Sequence, residues 1–149
     1  MLVVGEASFS ADIRKGVAAY EQEDYATALN EFKLLAEQGD AFAQFKLGEM
    51  YQVGRGVSKD HKKAVRWFRF AAEQGHSGAQ LAFGVSYFQG HGVSQSDVLA
   101  YMWMEVASLQ DASGAKELRD ELGLILPEAI VKIAKDLAVA CVMRRFVGC

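Results

Sequence analysis

The sequence predicts an all-α protein built from repeated pairs of helices. Three observations support this prediction: a single proline, twenty-two alanines, and a pattern that recurs every 36 residues. Proline breaks helices and alanine forms them best, so both counts favour helix. With 149 residues, 51% of them apolar, the chain is long enough to bury a core without a metal or a disulfide. We therefore expect one domain or one short repeat array.

The repeat appears when residues 24–59 are aligned with residues 60–95 without a gap. Fifteen positions are identical, among them the tetrapeptide Ala-Glu-Gln-Gly and a pair of glycines near the end of each unit. A third copy keeps Ala100, Gln110 and Gly114 in register and then decays. Self-similarity at such a period is typical of stacked repeats. The predicted organisation is a flexible N-terminus at residues 1–10, an opening helix at 11–23, repeats at 24–59 and 60–95, a degenerate repeat at 96–125, and a closing helix with a tail at 126–149.

Each unit is predicted to contain two helices, because apolar residues recur at helical spacing in two successive stretches. Gly39 and Gly75 follow the first helix of their units, where a helix commonly ends in a left-handed residue. Gly48 and Gly84 lie inside the second helix, although glycine there costs about 1 kcal/mol relative to alanine. We expect that cost to be offset by the close approach of a neighbouring helix.

The closing helix is expected to start at Pro127, a residue that suits the first helical turn. Its apolar stripe is wide enough for burial on two sides or for a homodimer seam. We expect Cys141 to be a small buried residue and Cys149 to lie on a mobile tail. If both cysteines lay on one helix, their Cα atoms would be about 12 Å apart, beyond the roughly 7 Å that a disulfide spans.

Charge and hydropathy argue against two classes of function. The formal net charge is −3, the wrong sign for a domain that neutralises phosphates, so nucleic-acid binding is not expected. No apolar stretch approaches the roughly 18 residues that a bilayer span needs, so membrane insertion is not expected. Residues 1–11 are either a frayed terminus or the remnant of a trimmed export signal. A periplasmic or secreted location would follow from a trimmed signal, and a cytoplasmic one otherwise.

The motif Ala-Glu-Gln-Gly, followed by Ala-Gln and then by Gly-x-x-Tyr-x-x-Gly-x-Gly-Val, resembles the SEL-one-like repeat family, which is related to the tetratricopeptide repeats. The resemblance is specific over residues 24–95 and weaker over residues 96–110. It implies a right-handed α-α superhelix, that is, an α-solenoid similar to small bacterial members of the family. Such a protein would bind other proteins and perform no chemistry itself. Arg119 and Asp120 stand where the second helix of the middle unit has Phe83 and Gly84, so we expect the third unit to be a modified cap.

The residue types that carry chemistry form no recognisable site in the sequence. His61, His76 and His91 are evenly spaced, but they fall at a helix start, a turn and a loop, so we expect no shared metal site. The glycine pairs lack the pattern of a phosphate-binding loop, and no nucleophile or paired-carboxylate motif is present. We therefore predict no catalytic residue, no cofactor and no metal.

Partner binding is predicted on the outward face of the helices that open each unit, which are expected to line the concave surface of the solenoid. One outward position carries Leu34, Phe70 and Val106 in successive units, and basic residues flank it in the middle unit. The predicted partner-binding residues are Leu34, Lys62, Lys63, Arg66, Arg69, Phe70, Met102 and Val106. They suit a peptide or helix with an acidic segment and an aliphatic anchor. The alternative is that the closing helix of the chain covers this apolar ladder.

The function predicted from these features is a non-catalytic scaffold or adaptor for a protein or peptide partner. Two alternatives stay open at this point. One is a small-molecule binder or hydrolase whose site is assembled between helices. The other is a structural subunit that self-associates, with the closing helix as the seam of a homodimer.

Overall fold

A computed structural model of the chain describes the backbone of residues 4–149 and the side chains of residues 13–149. This part of the chain contains eight α-helices and no strand, which confirms the all-α prediction. The helices are α1 Val4–Glu21, α2 Tyr25–Glu37, α3 Ala41–Val53, α4 His61–Glu73, α5 Ser77–Gln89, α6 Asp97–Leu109, α7 Ala115–Ile125 and α8 Glu128–Met143. Helix α1 begins before residue 11, where the sequence predicts the opening helix to start. The predicted flexible segment or signal remnant includes residues 1–3, which lie outside the described backbone.

The helices from α1 to α7 form two layers. Each helix from α2 to α6 packs against the one before it and the one after it, as expected when successive hairpins zigzag between two rows. We call the row of α2, α4 and α6 the even layer and the row of α1, α3, α5 and α7 the odd layer. Helix α8 breaks this order, because it packs along α6 and makes no extensive contact with α7.

Repeated local signals set the helix ends of the even layer. Asp24, Asp60 and Ser96 stand one period apart, and each side-chain oxygen accepts a hydrogen bond from the backbone N–H three residues later. These caps satisfy N–H groups that have no partner within the helix. Gly39 and Gly75 follow α2 and α4 with φ of +96° and +88°, a conformation that glycine adopts without strain. The predicted left-handed helix ends are thus confirmed.

Glycines inside the odd-layer helices bring the two layers close together. A Cβ atom added to Gly48 of α3 would lie 2.5 Å from Cε1 of Phe68 and 3.2 Å from the carbonyl oxygen of Ala64, both in α4. A Cβ atom on Gly84 of α5 would lie 3.1 Å from the carbonyl oxygen of Ala100 in α6. The predicted close approach of neighbouring helices at these two glycines is therefore confirmed.

Two buried glutamines join one unit to the next. Gln44 and Gln80 are one period apart, and each Nε2 donates to a main-chain carbonyl in the last turn of the preceding helix at 3.2 Å. Each Oε1 accepts in turn from the glutamine that follows the next even-layer helix, Gln74 at 2.7 Å and Gln110. Because a buried polar group is costly without partners, these amides help to fix the spacing between units.

The C-terminal segment contradicts the prediction of a mobile tail. Cys141 and Cys149 form a disulfide, with their Cα atoms 5.5 Å apart. Helix α8 ends at Met143, and positive φ values at Arg145 and Phe146 turn the chain back toward Cys141. Because Cys149 lies beyond the end of α8, the separation of about 12 Å that would hold on a single helix does not apply. The expected burial of Cys141 is confirmed.

Candidate functional site

Helix α4 exposes cationic and apolar side chains together on the outer surface of the even layer. Its exposed residues include Lys62, Lys63, Arg66, Arg69 and Phe70. The helix has one acidic residue, Glu73, whose carboxylate accepts a hydrogen bond from Arg69 at 2.8 Å. This bond, together with the charge of Glu73, raises the pKa of Arg69. Lys62 and Arg66 form no ion pair within the described residues, so this surface keeps a positive charge.

The apolar ladder formed by Leu34, Phe70 and Val106 is exposed in the first two units and buried in the third. Leu34 and Phe70 are 50% and 41% exposed, as a contact surface requires. Met102 and Val106, by contrast, are only 2% and 0% exposed, because they belong to the core that α6 shares with α8. The prediction that these two residues contact a partner is therefore corrected. Helix α8 thus covers the third position of the ladder and leaves the first two positions exposed.

A small cleft of about 160 Å³ lies beside the open part of the ladder. It is lined by Tyr51 of α3 and by Lys63, Arg66 and Trp67 of α4. The Nζ atom of Lys63 lies 5.4 Å from the centroid of the Tyr51 ring, and Trp67 meets Phe70 edge to face with centroids 5.7 Å apart. The cleft thus combines aromatic walls with two cationic groups, a combination that suits a carboxylate next to an apolar group.

The three evenly spaced histidines do not converge. His61 stacks on His91 with ring centroids 4.6 Å apart, a contact that the sequence did not predict. His76 lies elsewhere, stacked on Phe45, and its Nδ1 accepts from the N–H of Ala79 at 3.1 Å, which caps α5. Burial lowers the pKa of His76, and burial together with the charge of His91 lowers that of His61. Among the described side chains, no group of three or more histidines, cysteines or carboxylates could hold a metal ion.

The third unit is modified where the sequence predicts it. Arg119 of α7 stands one period after Phe83, and its Nη1 lies 2.9 Å from a carboxylate oxygen of Glu105 in α6. Its Nη2 also lies 2.6 Å from Asp120, the residue that stands where Gly84 stands in α5. A partly buried ion pair thus replaces apolar packing between α6 and α7.

Comparisons with known proteins agree with the repeat pattern. A family model described as "Sel1 repeat" matches residues 41–76 and 77–111. Each match contains an odd-layer helix followed by an even-layer helix, so the family's unit pairs α3 with α4 and α5 with α6. The predicted concave location of the basic residues of α4 depends on α4 being the first helix of its unit, whereas α4 is the second helix of the family's unit. The surface that these residues form is therefore defined by its residues and not by its curvature. No curated protein matches this chain significantly.

Two solved bacterial structures are similar to the chain. One is c5321, a protective antigen of uropathogenic Escherichia coli strains that displays an SLR fold, with 30% sequence identity and a TM-score of 0.85 over 93% of this chain and 31% of the antigen. The other is a Sel1 repeat protein from Oxalobacter formigenes, with 33% identity and a TM-score of 0.68 over 72% of this chain and 44% of that protein. The chain thus spans less than half of either relative. No helix within the described residues is long and apolar enough to cross a membrane.

Proposed function

Because the chain belongs to the Sel1 repeat family, we propose that it is a non-catalytic interaction module that binds an acidic protein segment with an aliphatic anchor. The proposed binding site, called here the basic face, consists of Leu34, Lys62, Lys63, Arg66, Arg69 and Phe70. The proposal rests on one observation about α4: Phe70 is exposed among four cationic side chains, and the helix has a single carboxylate. Large apolar side chains flanked by unpaired charge are typical of binding surfaces.

The footprint follows from the burial pattern. Leu34 and Phe70 occupy the same position in successive units, so an extended or helical segment that follows the even layer could contact both. The cleft beside Trp67 offers a pocket for one anchor, with Arg66 at its edge to pair with a carboxylate. Helix α8 covers the next position along the layer, so the proposed footprint spans two units and ends at α6.

The test uses two helical peptides of matched design, one with leucines on one face and glutamates elsewhere, the other with lysines in place of the glutamates. The Leu/Glu peptide should bind the chain, as measured by fluorescence anisotropy, and Arg66→Glu or Phe70→Ser should weaken binding about tenfold or more. Higher salt should weaken it as well, because exposed charges are screened.

Two matched variants control for general effects of charge and of lost apolar surface. Lys135→Glu reverses an exposed charge on α8, and Val53→Ser removes an exposed apolar side chain from α3. Both should leave the affinity for the Leu/Glu peptide within about twofold of the parent value. Equal losses in the control and test variants, with circular dichroism unchanged, would refute the basic face as the binding site.

A second candidate is self-association through α8. This helix buries Ala134, Ala138 and Cys141 against the core but leaves Ile133 49% and Val139 57% exposed. Sedimentation velocity over a hundredfold range of concentration would detect a dimer, and Ile133→Glu should abolish it. A monomer at every concentration would reject this candidate without affecting the first.

A further inference from the structure

A second apolar surface lies on the odd layer, on the other side of the repeat array from the basic face. It is a slot of about 270 Å³ between α5 and α7, and we call it the α5–α7 slot. Its lining residues are Phe88, Met104, Leu118, Glu121, Leu122 and Ile125. Met104 and Leu122 are buried, whereas Ile125 is 70% exposed and Phe88 and Leu118 are each exposed by about two-fifths. The slot is open because α8 packs on α6 and leaves the outer side of α7 uncovered.

The repeat itself supplies a comparison for this slot. One period earlier, between α3 and α5, the positions of Phe88 and Ile125 are occupied by glutamine, Gln52 and Gln89. The position of Leu118 is occupied there by alanine. The junction between α5 and α7 therefore has large apolar side chains at exposed positions. The equivalent positions in the junction between α3 and α5 have polar or small residues. Packing within the repeat does not require them, since the earlier junction packs without them.

The charged side chains beside the slot are acidic. Helix α5 has no charged residue, so the charges come from α7. Glu117 and Glu121 lie one turn apart beside Leu118, and neither forms an ion pair within the described residues. Arg119 turns away toward Glu105 of α6, and at helical spacing Lys116 lies on the side of α7 opposite Leu118. An apolar slot with two unpaired carboxylates at its edge complements an apolar anchor with neighbouring cations.

We propose that the α5–α7 slot binds an amphipathic helix of a partner protein, with leucine-like side chains that enter the slot and lysine or arginine residues that face Glu117 and Glu121. The occupant has the opposite charge to the segment proposed for the basic face, so the two surfaces select different partners. The chain would then hold two partners at once, one on each layer.

The Leu/Lys peptide described above is the probe for this slot. It should bind the chain, and Ile125→Ser or Leu118→Ser should weaken that binding about tenfold. The double variant Glu117→Lys with Glu121→Lys should lose the Leu/Lys peptide and gain affinity for the Leu/Glu peptide. Glu21→Lys with Glu37→Lys is the matched control, because it changes the net charge equally at two exposed positions on α1 and α2.

The two proposed surfaces can be tested independently. Phe70→Ser on the basic face should leave affinity for the Leu/Lys peptide unchanged, and Ile125→Ser should leave affinity for the Leu/Glu peptide unchanged. The slot proposal is overturned if the Leu/Lys peptide does not bind, or if the control charge reversal weakens it as much as the reversal at Glu117 and Glu121. Because Ile125, Glu117 and Glu121 are exposed, these variants should fold even if Leu118→Ser does not.

Discussion

The close contact between Gly48 of α3 and Phe68 of α4 predicts that Gly48→Ala, which adds a single methyl group, destabilises the protein. On an isolated helix, Gly48→Ala would stabilise the fold by about 1 kcal/mol, because alanine is the better helix former. In the structure, the new Cβ would lie 2.5 Å and 2.6 Å from two ring carbons of Phe68. Real Cβ atoms do not come that close to another carbon, so the ring or the helix must move.

The size of the effect follows from how tightly Phe68 is held. The side chain is fully buried, so its ring has no free space to move into. Overpacking of a dense core costs about 1–3 kcal/mol, and a contact this short belongs at or above the top of that range. After the gain in helix propensity is subtracted, we expect Gly48→Ala to lower the free energy of unfolding by about 2 kcal/mol.

Urea denaturation followed by circular dichroism at 222 nm measures this change. Phe68→Leu provides the control: in that background Gly48→Ala should be neutral or slightly stabilising, which gives a coupling energy of about 2 kcal/mol between the two sites. If Gly48→Ala stabilises the parent protein by about 1 kcal/mol, the close approach of α3 and α4 is wrong, and with it the explanation for glycine inside the odd-layer helices.

Two further predictions concern polar groups at the junctions between units. The lowered pKa of His76 means that its stabilising contribution is complete above the ordinary value of about 6.5 and is lost as pH falls below it. His76→Asp, which copies the cap Asp40 one period earlier, should therefore reduce the pH dependence of urea midpoints between about pH 5 and 7. Gln110→Ala removes the donor to the buried oxygen of Gln80 and should cost about 1–3 kcal/mol in the same assay. Gln38→Ala, at the exposed equivalent position, should cost almost nothing, and equal losses would refute the role of the buried amide.

The repeat predicted most of the fold because it constrains each unit through its neighbours. The 36-residue period placed the helix ends at Gly39 and Gly75 and the close contacts at Gly48 and Gly84. These features depend on contacts that recur in every unit, so the sequence records them more than once. The same period identified the outward position that Leu34 and Phe70 share, but it did not decide whether the closing helix covers that position.

The sequence was a poor guide where the period ends. Nothing in the repeat specifies whether α8 follows α7 or lies along α6, and that choice decides whether Met102 and Val106 are exposed or buried. The disulfide depends on a backward turn with positive φ at Arg145, a conformation that non-glycine residues adopt without a sequence signal. The stack of His61 on His91 joins the start of α4 to the loop that follows α5, and equal spacing along the chain did not reveal it.

The return of the chain after α8 has a consequence for how the array unfolds. In a simple repeat array each unit touches only its neighbours, so an end can fray while the middle stays folded. Here the ring of Phe146, inside the loop closed by Cys141 and Cys149, lies against Gly75 in the turn between α4 and α5. That end is thereby tied to a turn more than one helix pair away. Melting should consequently start at α1 and reach α6 to α8 last, and hydrogen exchange in the intact oxidised protein would record that order.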